Sequence, residues 1–239
     1  MPVDVINLLE RETYSFGQVD RLLGLPAGTA RRWIDGYERA GKYYDPVVRE
    51  DSTGHDIATW GEFVETRLLS EYRDAGVPMI RMRPVIEVLR EEMQTPYPLA
   101  SARTWLRPHG QELVREVQER VGLERRLALV EIRTGQAVVQ WSDEAEAFRR
   151  SIDWSGESDE AVPERLRPAS DLQGIVIDPL RGFGEPVVRG GVRTEIIAEL
   201  FMAGESPEMI AENYDVPRAL VDQAVRYELR RLNGQAAAA

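Results

Sequence analysis

Two stretches of this chain align without a gap, and both read as helix–turn–helix units. The first is VDRLLGLPAGTARRWI (Val19 to Ile34) and the second is IAENYDVPRALVDQAV (Ile210 to Val225). In each, a β-branched aliphatic residue begins a short helix and a turn follows. An aliphatic–proline pair, Leu25-Pro26 or Val216-Pro217, then opens a second helix. Proline suits the first helical turn because its missing N–H has no intrahelical partner there and its φ is already set. The copies differ on the solvent face of the second helix, which carries Thr29, Arg31 and Arg32 in one and Asp222 and Gln223 in the other. One unit suits phosphates and base edges; the other does not.

The formal charge of −11 argues against a whole-surface affinity for nucleic acid. Its distribution is uneven. Between Tyr14 and Arg49 six basic residues face four acidic ones, so this stretch is +2 and the remainder −13. A basic module on an acidic chain is compatible with DNA binding by that module alone. The chain has no cysteine, and His55 and His109 are its two histidines. Disulfides, zinc–cysteine sites and multi-histidine metal centres are therefore excluded. No run of about 18 apolar residues suggests a membrane span, and MPVDVINLLERE lacks the flanks of a signal peptide. A cytoplasmic protein is expected, with no metal and no cofactor. No Ser-His-Asp order around a glycine elbow and no P-loop lysine is present, so no catalytic residue is assigned and no enzyme is expected.

The pattern predicts a mainly α chain with small β elements. Residues 1–13 read as a frayed or helical lead-in. Ser15 caps a helix to Leu23, and a second helix runs from Pro26 to Ala40 with Ala30, Trp33, Ile34 and Tyr37 inward. On this reading Arg31, Arg32, Asp35, Glu38 and Arg39 stay outside. Tyr43–Arg49 and HDIAT (from His55) then form a hairpin, a wing, across the turn EDSTG. Thr59 and Glu62 make a capping box for a helix over 60–76 with Phe63, Val64, Leu68, Leu69 and Tyr72 inward, and a further helix reaches Met93. A helix begins at Gln111, strands over 127–132 and 136–141 flank a turn at 133–135, and a short helix covers 143–150. Residues 151–170 read as an acidic linker or an extended arm. A strand over 174–179 is followed by helices over 194–204, from Pro207 behind the Ser206 cap, and over 218–232. The predicted domains are 1–95, a winged helix-turn-helix that binds DNA; 96–170, a middle α/β segment with the acidic linker; and 171–239, a helix-turn-helix-like dimerisation domain.

In the first domain, Arg31 and Arg32 offer bidentate forks to guanine and Thr29 a hydroxyl to phosphate. Arg39, Lys42, Tyr43 and Arg49 lie where the helix end and the hairpin would meet the backbone. In the last domain Glu208, Glu212, Asp215 and Asp222 would repel a major groove. Ile196, Ile197, Leu200, Phe201, Val225 and Leu229 exceed what so small a unit needs and are assigned to a homodimer contact. The loop Gly182-Phe183-Gly184 lacks the third glycine of a nucleotide fingerprint and is read as a structural turn before an edge strand.

These residues meet two families. YSFGQVDRLLGLPAGTARRWIDGY, the hairpin, and FVETRLLSEYRDAGVPMIRMRPVIEVLRE resemble the winged-helix domain of MerR-type regulators over residues 14–93, with Thr29-Ala30-Arg31-Arg32-Trp33 as the recognition-helix signature. No long heptad helix follows. GEPVVRGGVRTEIIAELFMAGESPEMIAENYDVPRALVDQAVRYE resembles, over about 174–230, a small domain frequent in antitoxins paired with PIN-like ribonuclease toxins. The whole chain resembles two-domain VapB-type antitoxins. The resemblance implies a cognate ribonuclease toxin as protein partner and double-stranded operator DNA bound to autoregulate the operon. Trp141, Phe148, Arg149, Arg150 and Trp154, in an aromatic and acidic stretch, are then the toxin-binding candidates, against a plainer reading as a solvated linker with tucked-in aromatics. The alternative is a free-standing MerR-like transcription regulator whose middle segment senses a small effector.

Overall fold

A computed structural model describes residues 8–73, 76, 78–133 and 138–238. The chain is mainly α with small antiparallel two-stranded sheets and divides into two compact units, Met1–Pro163 and Glu164–Ala239. Residues 96–163 pack within the first.

In the first unit Leu8 and Leu9 are helical, within the expected lead-in, whose residues before 8 lie outside the described residues, and β1 (Glu12–Ser15) begins where that lead-in was expected to end. Next come α1 (Phe16–Leu23), α2 (Thr29–Ile34), β2 (Tyr37–Arg39), β3 (Lys42–Tyr44), β4 (Ile57–Thr59) and α3 (Trp60–Glu71). Ser15 caps α1 and Thr59 caps α3 in a box with Glu62, as the sequence predicts, and Gln18 completes a reciprocal box at Ser15 as well. α3 is the centre of this unit. Trp60, Phe63, Val64, Leu68 and Leu69 are fully buried, and so are Glu65 and Thr66. Tyr14 stacks on Phe63 with ring centroids 4.4 Å apart, joining β1 to α3.

The unit continues through α4 (Arg83–Met93), α5 (Ala102–Leu106), α6 (Pro108–Arg120), β5 (Val130–Arg133), β6 (Val138–Trp141), α7 (Asp143–Ser151) and β7 (Ile152–Trp154). The turn expected at 133–135 lies largely outside the described residues. Trp105 packs against Trp141 at 4.7 Å and against Phe148 at 5.0 Å, so the middle segment has an aromatic core of its own.

The second unit holds β8 (Pro163–Leu166, which begins at the division), β9 (Ile175–Val176), β10 (Val187–Val188), α8 (Thr194–Met202), α9 (Pro207–Asn213) and α10 (Arg218–Ala238). Its core is Leu172, Ile175, Val188, Ile197, Ile210, Val216, Val221, Ala224, Val225 and Tyr227. Ser206 accepts from the Met209 N–H at the start of α9, with Pro207 in the first turn. The GFG segment is a 3-10 turn leading into β10, in line with the structural reading of that loop.

Candidate nucleic-acid interface

α2 begins at Thr29, three residues later than the proline suggested. Gly24 turns left-handed at φ 63 to end α1, and Gly28 does the same at φ 76 in front of α2. The free N–H groups of that second start are met from across the turn. The buried Asp20 carboxylate accepts from the Gly28 N–H at 2.6 Å and the Ala30 N–H at 2.7 Å. Burial raises the Asp20 carboxyl above its ordinary value, and those two N–H groups with Arg32 offset part of the rise. Asp20 therefore fixes the angle at which α2 leaves α1.

The long second helix of the sequence reading does not form. It ends at Ile34, because Gly36 adopts φ 79 where a Cβ would meet Tyr43 Oη and the Tyr44 carbonyl oxygen, each at 2.7 Å. The hairpin is accordingly displaced. It pairs Tyr37 with Tyr44 and Arg39 with Lys42 around Ala40-Gly41, both with positive φ, the geometry of a two-residue type I′ turn. The segment beginning at His55 instead supplies β4, which pairs with β1.

Five of the predicted DNA-facing residues come out exposed on α2 and this hairpin: Arg31, Arg32, Arg39, Lys42 and Tyr43. Arg31 lies 5.6 Å over the Phe16 ring and is ion-paired with Asp56. Arg32 donates to Thr29 Oγ1 at 2.8 Å. Lys42 lies 5.2 Å over the Tyr44 ring, and Tyr43 donates to the Asp35 carbonyl at 3.3 Å. These cations sit on aromatic faces and short partners that keep their heads at the surface.

Thr29 and Arg49 are placed otherwise, and their assignment to phosphate is corrected. Thr29 is buried under Arg32. The Arg49 side chain is 9% exposed, with Asp35 and Glu62 each at 2.6 Å. It donates further to Thr53 Oγ1 and the Ile57 carbonyl and lies 5.5 Å over Phe16. A fork so fully enclosed has no face left for a phosphate.

Asp35, expected outside the helix, is buried. Besides Arg49 it accepts from Ser52 Oγ and the N–H groups of Thr53 and Gly54. Burial alone would raise its carboxyl, but the Thr53 N–H, Arg49 and Ser52 outweigh it and hold the group below the usual range. Sequence reasoning missed Asp20 and Asp35 as positioning residues. The signal available was an Asp nine residues before the helix start, and another beside a glycine that ends it.

In the aromatic and acidic stretch the aromatics are tucked in, as the plainer reading expects. Phe148 is fully buried, and Trp141, half-buried, packs on Trp105. Arg149 and Arg150 both hold Glu146, at 2.8 and 2.7 Å, and Trp154 is half-buried. In the second unit Ile197 and Val225 belong to the core, while Ile196 and Leu200 are half-buried and Phe201 and Leu229 exposed. Among the described residues no cluster of three or more His, Cys, Asp or Glu could hold a metal, and no helix is long and apolar enough to cross a membrane.

Comparison with known proteins adds a second line. The chain is 40% identical over 236 residues to "Uncharacterized protein Rv2308" of Mycobacterium tuberculosis, spanning 96% of this chain and 97% of the relative. It belongs to the Rv2308 family. The same bacterium's "Putative antitoxin VapB45" is 29% identical over 219 residues, covering 85% of this chain and 88% of that protein. The crystal structure of Rv2018, also from M. tuberculosis, superposes with a TM-score of 0.67 at 26% identity, over 90% of this chain and 97% of that one. Residues 175–227 of this Rv2308-family chain match the domain described as "Protein of unknown function (DUF433)", inside the second compact unit.

Proposed function

We propose that the chain is a cytoplasmic antitoxin that binds and neutralises a PIN-like ribonuclease toxin, and that it binds operator DNA to repress its own operon. The similarity to a relative named as an antitoxin supports the first part. The second rests on one observation: four cationic side chains, Arg31, Arg32, Arg39 and Lys42, are exposed on a helix and the hairpin that directly follows it.

On this reading residues 12–59 are a winged helix-turn-helix. α2 enters the major groove, where Arg31 and Arg32 read base edges, and the Ala40-Gly41 tip carries Arg39 and Lys42 to the flanking phosphates. Asp20, Asp35, Arg49 and Glu62 hold those elements and touch no nucleic acid. The second unit forms a homodimer through Phe201 and Leu229, so that two half-sites are read with matching two-fold symmetry. The protein acts by binding and catalyses no reaction.

Coexpression with the product of the adjacent reading frame tests this. The expected result is one co-eluting complex, with RNA cleavage that appears only when this chain is removed. Separate elution with uninhibited cleavage would overturn the antitoxin role. An operator gel shift would then decide whether the DNA-binding part stands alone.

A further inference from the structure

The small sheet of the second unit has two faces. Leu166 bridges Ile177 and Val187 pairs with Val176, so strict alternation assigns the side chains. Leu166, Ile177, Ile175 and Val188 turn one way and are all fully buried. Arg165, Asp178, Val176, Val187 and Arg189 turn the other way. Over this second face Asp178, Arg181 and the Gly190-Gly191 turn complete a cavity of about 360 Å³.

The cavity's charge is organised around one carboxylate. Asp178 is 7% exposed and accepts from the Leu180 N–H at 2.8 Å. Arg165 Nε lies 3.2 Å and Arg181 Nε 3.7 Å from its Oδ2. Both guanidinium groups thus rest on Asp178 by their inner edge, and both side chains are partly exposed, at 42% and 59%. Arg189 is exposed and has no side-chain partner among the described residues. Gly190 and Gly191 stand at φ 138 and φ 94, a backbone that side chains rarely adopt, and leave that rim open.

Three arginines against one aspartate leave the cavity at +2, and a phosphomonoester carries about −1.5 to −2 at neutral pH. Guanidinium forks match phosphate oxygens by paired N–H donors. The volume exceeds what a bare phosphate fills and lies at the lower end of small-ligand pockets, and Val176 and Val187 give it an apolar floor. The geometry points to a site for a small phosphomonoester of nucleotide size, gripped by Arg165, Arg181 and Arg189. This assignment stands independently of the antitoxin reading, since it involves neither toxin nor operator.

Isothermal titration of the full chain in chloride buffer with inorganic phosphate, pyrophosphate and a nucleoside monophosphate tests it. Saturable one-site binding of the nucleoside monophosphate is expected, weakened about 10- to 100-fold by Arg189→Ala, the loss of one charged hydrogen-bonding partner. The thermal midpoint of that variant should equal that of the parent, because the Arg189 side chain holds no partner among the described residues. Arg189→Gln keeps the stem and removes the charge, and gives the same reading should the alanine variant fold poorly. Equal binding by parent and both variants, or no saturation below about 10 mM, would overturn the site. So would duplex DNA whose binding depends on Arg189 while the three small phosphates give no heat, which would move the pocket to the nucleic-acid backbone.

Discussion

Arg49 Nη1 lies 2.6 Å from Asp35 Oδ1 in the interior of the first unit, and this pair ties the end of α2 to the loop that follows the hairpin. Glu62 closes the triad from the start of α3, at 2.6 Å from Arg49 Nε and 2.8 Å from the Thr59 N–H. One carboxylate therefore completes a helix cap and neutralises the same guanidinium. The exposed cations of α2 and the hairpin take their positions from this buried triad.

Arg49→Ala should leave two buried carboxylates without their cation and cost about 3–5 kcal/mol. Urea denaturation measures it. The loss is expected without any DNA present, and operator affinity should follow the folded fraction. If Arg49→Ala kept full stability and lost only operator affinity, Arg49 would be a phosphate contact after all.

Asp35 predicts a pH effect of defined sign. Its folded value is depressed, so its contribution is complete above the ordinary aspartate range and is lost as pH falls through the folded value. Asp35→Asn should therefore be less stable than the parent at neutral pH, and the gap should narrow in acid. Unfolding curves at neutral and acidic pH give both differences, and a gap that widened in acid would contradict the assignment.

Glu65 predicts the opposite slope. It is fully buried, accepts from the Leu99 N–H at 2.8 Å through Oε1, and has no partner for Oε2 among the described residues. Burial pushes its carboxyl up to about 8, against the pull of the Leu99 N–H and Arg90. A raised acid stabilises the fold fully below its unfolded value near 4.5 and loses that stabilisation as pH rises through about 8. The drop across that interval is on the order of 3–5 kcal/mol. Glu65→Gln keeps the acceptor and cannot ionise, so its stability should vary less between pH 5 and 9. Parallel slopes for both proteins would show that Glu65 is already ionised when folded.

Much of this was legible in the sequence, and the reasons for the rest are physical. Caps are local chemistry, and Ser15, Thr59 with Glu62, and Ser206 with Pro207 stand where the side chains alone placed them. Ala30 and Ile34 are buried as their spacing predicts. The end of α2 was misplaced because the apolar period continues through Tyr37, while Gly36 is required left-handed by a hairpin that only the folded backbone reveals. Arg49 and Asp35 misled for a related reason. A charged residue reads as exposed unless its partner is known, and these partners lie 14 and 13 residues away, beyond any helical period. Trp141 and Phe148 could be read either as a wrapping surface or as tucked-in aromatics, because Trp105, their common partner, sits too far back in the chain for spacing to decide.

On operator DNA, Arg31→Ala with Arg32→Ala should weaken specific binding by roughly 2–6 kcal/mol, taking about 1–3 for each specific pair. Arg31 is held by Asp56 in the free protein, so Asp56→Asn should raise affinity by releasing it. Lys42→Ala should instead lower affinity for all sequences alike and flatten the salt dependence. Gel-shift titrations at two salt concentrations separate these outcomes. Unchanged operator affinity in the double arginine variant would remove α2 from the interface.

The last prediction separates fold from assembly in the second unit. α8 packs along α10, and Ile197 is fully buried there. Phe201 and Leu229 are 38% and 42% exposed, with Met202 and Leu232 exposed beyond them. Side chains in the core and at an interface respond differently to substitution. Ile197→Ala removes buried volume and should cost about 2–5 kcal/mol. Leu229→Glu and Phe201→Glu place a charge on a surface that is apolar in the isolated chain, and should leave the monomer's fold almost unchanged. In a dimer formed through this face the same charges would be buried without partners and should drive dissociation. Sedimentation equilibrium on the parent and the two glutamate variants decides it, with thermal unfolding as the control for fold. A dimeric parent with monomeric, folded variants places the contact on Phe201 and Leu229. Glutamate variants that stay dimeric would move the contact elsewhere, and the exposed apolar residues of α8 and α10 would then need another partner.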